Sequence, residues 1–228
     1  MYVTAATSFR DHTNPIVFPM ATGVRPEASS LRLLKAGQAL FCEGDSADCV
    51  YQVVEGVVRT SKMLSNGRRQ ILAFGYPEDI VGLSHDQCYH SDCEAVSATK
   101  LRVLRKNASS ARFNFDVEIC DQLLRHAAAE VSGMQDHFLM LGRKSAMEKI
   151  ASFLLVLAQR TGTHTQGEVC VPLPMTRSDI ADFLGLTVET VSRTLTKLKS
   201  GHVIRLPDHH SVCIRRMAAL EDLADSNE

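Results

Sequence analysis

The sequence predicts an α+β chain in three consecutive parts: an antiparallel β-roll, a long helix and a winged helix-turn-helix. Three observations carry this prediction. Short apolar runs punctuated by glycine fill residues 31–104, a 3.5-residue apolar repeat runs from Cys120 to Leu141, and two capped helical patterns flank Gly185.

The bulk properties set limits first. A chain of 228 residues has room for two modest domains, each with its own core. With 45% hydrophobic and 22% charged residues, the composition is that of an ordinary soluble protein. No run reaches the roughly 18 apolar residues of a membrane span. The start, "MYVTAATSFRDHTNPIVFP", lacks a basic flank followed by a long apolar core, so no signal peptide is expected and the cytoplasm is the expected compartment. Seven cysteines without framework spacing argue against a secreted disulfide scaffold.

Residues 1–30 are polar, contain three prolines and show no period, so they read as a loosely ordered lead-in. Residues 31–112 form the β-roll. "VYQVVEGVVRTSKML" and "RRQILAFG" are rich in β-branched and aromatic residues, and "SNG" at 65–67 is a hairpin signal between them. Many short strands at regular spacing suit a small antiparallel barrel or sandwich.

At residues 113–141 the period switches to that of a helix. Cys120, Leu124, Ala127, Val131, Met134, Phe138 and Leu141 fall at alternating intervals of four and three, with Asp121, Arg125, Glu130 and Asp136 off the stripe. The stripe could pack on the chain's own barrel. A narrow 3.5-residue seam on so long a helix favours a partner helix, and a two-fold homodimer is the commonest arrangement.

Residues 142–228 form the last domain, ending in an acidic tail. Residues 142–216 carry 11 Lys and Arg against 6 Asp and Glu inside a chain of net charge −1. That local excess is the footprint of a polyanion-binding module. In "TRSDIADFLGLTVETVSRTLTKLKSG", Thr176 and Asp179 make a capping box that starts a helix burying Ile180, Phe183 and Leu184. Gly185 supplies the left-handed exit, and Thr187 caps a second helix that buries Val191, Leu195 and Leu198 and ends at Gly201. This is a helix-turn-helix. "HVIRL", "PDHH" and "SVCIRR" then read as a hairpin, which adds a wing.

Glu189, Ser192 and Arg193 stand at i, i+3 and i+4 and share one helical face. Arg forks onto guanine, a carboxylate accepts from cytosine N4, and Ser serves either strand, so these three are expected at base edges. The bland alternative is a Glu189–Arg193 ion pair on a solvated face, worth about 0.3–0.5 kcal/mol. The turn, the caps, the wing and the local charge favour duplex DNA. Thr176, Arg177, Ser178, Thr187 and Lys197 are the expected phosphate contacts. Single-stranded RNA is disfavoured because interleaved aromatics for stacking are missing.

Over residues 31–216 the sequence resembles the CRP/FNR superfamily of bacterial transcription regulators, nearest its FNR/FixK branch. The glycine-punctuated roll, the long helix and "LGLTVETVSRTL", with its Glu-x-x-Ser-Arg pattern, carry the resemblance. It implies a cyclic-nucleotide-binding-like first domain, a homodimer, RNA polymerase as a partner and activation as the outcome. It also implies half-sites of the TTGA type in an inverted repeat. Val188 stands where CRP itself has a further base-reading Arg, which disfavours CRP-type sites.

Three sensory chemistries remain to be weighed. A cyclic phosphate needs a fixed cation, yet "FGYPEDIVGLSHDQCYHSDCEAVSATK" holds no Arg, and Leu83 and Ser84 stand where CRP-like proteins have a ribose-binding Glu. An iron–sulfur cluster of the FNR kind needs clustered N-terminal thiolates, and the first 41 residues contain no Cys. Arg102 lies near the place of the fourth ligand, while Cys170 and Cys213 read as buried strand residues. The run "HDQCYHSDC" gathers His85, Cys88, His90 and Cys93, all good metal ligands, but at a spacing that matches no common zinc pattern. It reads first as a surface loop. Cys42 and Cys49 flank a turn and could form a disulfide switch. A metal-dependent β-barrel enzyme would have to use the His/Cys loop, because no other convergent His/carboxylate set is legible. The reading is therefore a non-enzymatic DNA-binding regulator with no resident cofactor. FixK-type regulators, which keep the sensor domain as scaffold and are set by synthesis and turnover, fit this pattern.

Overall fold

A computed structural model describes residues 30–105, 117–165 and 167–225. Residues 1–29 of the expected lead-in, residues 113–116 of the expected long helix and the Cys120 side chain lie outside the described residues.

The first half folds as expected, into two four-stranded antiparallel sheets. Strands β1 (Leu31–Leu34), β3 (Cys49–Glu55), β6 (Ile80–Val81) and β8 (Thr99–Arg105) form one, in the order β1-β8-β3-β6. Strands β2 (Ala39–Phe41), β4 (Val58–Met63), β5 (Arg69–Gly75) and β7 (Asp92–Ala95) form the other, in the order β2-β7-β4-β5. Val50, Val53, Val58, Ala95 and Leu101 are fully buried, and Phe41 stacks on Tyr89 at 3.8 Å between ring centres. The β3–β4 turn depends on Gly56, with φ +84°, where an added Cβ would meet the Ala98 carbonyl oxygen at 2.3 Å.

Helix α1 (Val117–Arg143) runs through Gly142 and ends at Arg143, two residues past the expected stop at Leu141. Along its apolar stripe Leu124 is 69% and Phe138 76% exposed, and Val131 and Met134 are also exposed. Ala127 and Leu141 are half-buried. The lower end of the stripe turns toward the chain's own last domain, since Leu141 approaches Gly185.

The last domain begins with α2 (Ala146–Thr161), capped by a Ser145–Glu148 box. Strands β9 (Thr163–Thr165) and β10 (Glu168–Pro172) lead to α3 (Arg177–Leu184) and α4 (Val188–Ser200). Strands β11 (Ile204–Arg205) and β12 (Ser211–Ile214) follow, then α5 (Met217–Ala224). The wing is larger than the sequence suggested: a four-stranded sheet in the order β11-β12-β10-β9. The acidic tail is also ordered further than expected, because α5 buries Leu220 and Ala224.

The cysteines depart from expectation. Cys170 and Cys213, read as separate buried residues, face each other across β10 and β12 and are disulfide-bonded. Cys42 and Cys49 are free thiols: Cys49 enters the first sheet opposite Arg105, while Cys42 follows β2 in the other.

The two halves share one core. Val57, Ile71, Phe74 and Tyr76 of the roll pack in the same apolar cluster as Ile150, Leu154, Ile180, Leu184, Val191, Leu195 and Leu220. The roll therefore forms one wall of the helical domain's interior.

Candidate nucleic-acid interface

The helix-turn-helix is built from local bonds that the sequence announces. Thr176 Oγ1 accepts from the Asp179 amide at 3.1 Å, and Asp179 Oδ2 accepts from the Thr176 amide at 3.0 Å. Two of the orphan amides at the start of α3 are thereby satisfied. Gly185 takes φ 63°, ψ 39°, and its amide donates to Ala181, so the chain leaves α3 in a left-handed turn. Thr187 Oγ1 then accepts from the Thr190 amide at 3.1 Å and starts α4. Val191, Leu195 and Leu198 anchor α4 from one side.

The opposite side of α4 is solvent-facing, and Glu189, Ser192 and Arg193 are all exposed on it. Arg193 Nη2 lies 2.6 Å from Glu189 Oε1, so without DNA the guanidinium is held along the helix. Ser192 Oγ donates to the Val188 carbonyl at 2.9 Å. An exposed i,i+4 pair contributes only about 0.3–0.5 kcal/mol. A bidentate contact to a base is worth about 1–3 kcal/mol of discrimination. A bidentate contact to a base would therefore outweigh the ion pair.

The expected phosphate contacts divide. Thr176, Ser178, Thr187 and Lys197 are exposed, though the two threonine hydroxyls already serve as caps. Arg177 is half-buried, its Nη1 is buried without a hydrogen-bond partner, and burial pulls its pKa down. Arg205 and Arg215 both pair with Glu168, at 2.6 and 3.1 Å, so part of the local basic excess is neutralised within the wing. Lys199, exposed in the last turn of α4, joins Lys197 on the open surface; it follows from the same helical periodicity.

Sequence reading missed the groups that hold this unit against the roll. Arg69 of β5 contacts Asp179 at 2.6 Å and Asp182 at 2.7 Å, and Arg59 of β4 lies 3.2 Å from Asp179. Gln70 Nε2 donates to the Asp182 carbonyl at 2.7 Å. From α1, the His137 ring stacks on Phe183 at 4.1 Å and its Nε2 lies 2.9 Å from the Phe183 carbonyl oxygen. Burial there pulls the His137 pKa down. These partners are separated by 46 to 120 residues, so no local pattern could mark them.

The other sensory candidates also come apart. Arg102 donates to Gln52 Oε1 at 2.7 Å. Of the four residues in "HDQCYHSDC", only His85 and His90 meet, with Asp86 between them. Cys93 faces the core, where burial pushes its thiol up to about 12, and Cys88 stands apart from the imidazoles on an exposed turn. Strand alternation on β7 turns Cys93 inward, which is why the run does not act as one set.

A roll, a long helix and a winged helix-turn-helix with an open polar face together define a DNA-binding transcription regulator. Comparison with known proteins agrees. Residues 148–223 match the Crp-like helix-turn-helix domain, and residues 31–112 match the cyclic nucleotide-binding domain. The chain is 45% identical to the nitrogen fixation regulation protein FixK of Azorhizobium caulinodans, over 81% of this chain and 75% of that one. It is 33% identical to the transcriptional activator protein FnrL of Cereibacter sphaeroides, over 86% and 82%. The solved structure of FixK2 from Bradyrhizobium japonicum superimposes with a TM-score of 0.79 at 35% identity, covering 88% of this chain and all of that one.

The chain belongs to the CRP/FNR family of transcription regulators, in its FNR/FixK branch. It is a DNA-binding transcriptional activator of that type rather than an enzyme. No described helix is long and apolar enough to cross a membrane.

Proposed function

We propose that the protein acts in the cytoplasm as a homodimer that reads a TTGA-type inverted repeat and recruits RNA polymerase. In this reading it needs neither a cyclic nucleotide nor an iron–sulfur cluster. Glu189, Ser192 and Arg193 read bases, and Lys197 with the start of α3 contacts phosphates. The exposed stripe of α1 pairs with its copy in a partner chain and sets the spacing of the two readers.

One observation carries this reading. The three polar side chains are exposed on a single face of α4 while the other face is anchored in the core. Effector independence is supported by the two arginines that flank the candidate ligand segment, since Arg69 is taken up by Asp179 and Asp182 and Arg102 by Gln52.

Sizing the purified chain with and without a TTGA palindrome, with no ligand added, tests the reading. The expected result is a dimer that binds one palindrome and ignores an unrelated duplex. Binding only after cyclic nucleotide is supplied would overturn effector independence, and binding as a monomer would overturn the dimer.

A further inference from the structure

We propose that His85, Asp86 and His90 form a surface site for a zinc-class divalent cation. Their ligand atoms all lie within 4.8 Å of one another. His90 Nε2 is 3.0 Å from each Asp86 carboxylate oxygen, and His85 Nε2 is 3.8 Å from Asp86 Oδ2. The two rings stack at 5.0 Å with an interplanar angle of 12°. Both imidazoles thus aim the same nitrogen at one carboxylate.

Exposed histidines have no packing reason to adopt such an arrangement, because stacking costs rotamer freedom and two protonated rings would repel. A shared cation supplies the reason. Two imidazoles and one carboxylate, with a further position left to water, suit Zn²⁺ and its borderline neighbours Co²⁺ and Ni²⁺. Mg²⁺ and Ca²⁺ prefer all-oxygen shells and fit poorly. Tetrahedral bonds of about 2.0–2.1 Å place ligand atoms about 3.3 Å apart, within reach of small side-chain rotations. His90 would take the Nδ1-protonated tautomer, which frees its Nε2 lone pair.

The backbone under the site is already fixed, so little ordering remains to be done on binding. Asp86 Oδ1 accepts from the Cys88 amide at 3.1 Å and from Ser84 Oγ at 2.9 Å. These bonds fix the orientation of the carboxylate that faces both rings. The Ala47 amide donates to the Gln87 carbonyl, and Tyr89 exchanges backbone bonds with Gly44 and Asp45. The buried Tyr89 ring closes the loop against Phe41, and its hydroxyl donates to the Cys49 carbonyl at 2.7 Å. Lys62 Nζ donates to the His90 carbonyl at 3.3 Å and is paired with Glu43 at 2.9 Å.

The test is Zn²⁺ binding by the full chain against a chromophoric chelator, without reductant so that the Cys170–Cys213 bridge stays closed. One equivalent per chain is expected for the unaltered protein. Affinity should drop roughly tenfold or more in His85→Ala and in His90→Ala, and stay unchanged in Cys88→Ser. The Co²⁺ adduct should show visible ligand-field bands without the intense near-ultraviolet thiolate band. No binding by the unaltered chain, an affinity in either histidine variant equal to that of the unaltered chain, or a thiolate band would each overturn the proposal. The Co²⁺ spectrum is read on unaltered protein, so it stands whatever a variant does to folding.

Discussion

Arg69 Nη2 lies 2.6 Å from Asp179 Oδ1, joining a strand of the roll to the first helix of the DNA-binding unit. Asp179 is almost wholly buried and serves three partners: the Thr176 amide that it caps, Arg69, and Arg59 at 3.2 Å. Removing a buried carboxylate costs more than the pair itself contributes, because Arg69 is left with Asp182 alone and Arg59 with Glu94 alone. Asp179→Ala should therefore lower unfolding stability by roughly 3 kcal/mol, measured from denaturant midpoints. Asp182→Ala, which removes a more exposed partner of Arg69, should cost distinctly less. Equal losses would mean that Asp179 does not carry the link.

The Cys170–Cys213 disulfide closes a loop of 43 residues across β10 and β12. Chain-entropy arguments assign such a closure roughly 3–4 kcal/mol. A reductant should shift the denaturant midpoint of the oxidised chain downward by that amount. It should leave the Cys170→Ser, Cys213→Ser double variant untouched. A midpoint indifferent to reductant in the native sequence would show that the bridge contributes nothing to stability.

What the sequence made legible was local, and what it hid was long-range. Thr176, Gly185 and Thr187 announced the helix-turn-helix because caps and a left-handed turn are written in neighbouring residues. The strand pattern of residues 31–104 gave the roll for the same reason. Nothing near Arg69 hinted at Asp179, 110 residues away, and nothing near Cys170 hinted at Cys213. Helix α5 was missed because its first four residues, Met217–Leu220, are followed by acids that read as a tail, while its burial depends on α2. The His/Cys loop shows the same limit in reverse. Proximity in sequence suggested four ligands, but β7 turned Cys93 into the core and left Asp86 as the group between the histidines.

Leu124 and Phe138 are the most exposed large apolar residues of the α1 stripe, and Val131, Met134 and Leu139 line a shallow groove beside Phe138. Burying each such side chain against a copy is worth about 1.5–3 kcal/mol. Leu124→Glu or Phe138→Glu should abolish the dimer and operator binding together, read by light scattering and a mobility shift. Neither should alter the melting of the monomer core, because both side chains are exposed. A variant that stays dimeric would place the interface on another surface.

Lys197 is exposed in the last turns of α4, on the same open side as the reading face. A phosphate contact carries no base information, so Lys197→Ala should weaken binding to every duplex alike. It should also reduce the slope of log affinity against log salt by about one. A sequence-selective loss would move Lys197 to the base edges.

Arg193 has the opposite signature. In the free chain it pairs with Glu189, at 2.6 Å and in the open, so the side chain can be released to a base at little cost. Arg193→Ala should cost roughly 1–3 kcal/mol on a TTGA palindrome and blur the preference at its guanine, while leaving affinity for unrelated duplexes nearly unchanged. Competition binding with single-base variants of the palindrome separates these effects. Glu189→Ala serves as the internal control, since it frees Arg193 from its pair while removing the acceptor for cytosine. It should therefore relax selectivity at a different position of the half-site. If both variants lose discrimination at the same base pair, the two side chains act as one unit. If neither does, α4 contacts the duplex through its backbone-facing lysines alone.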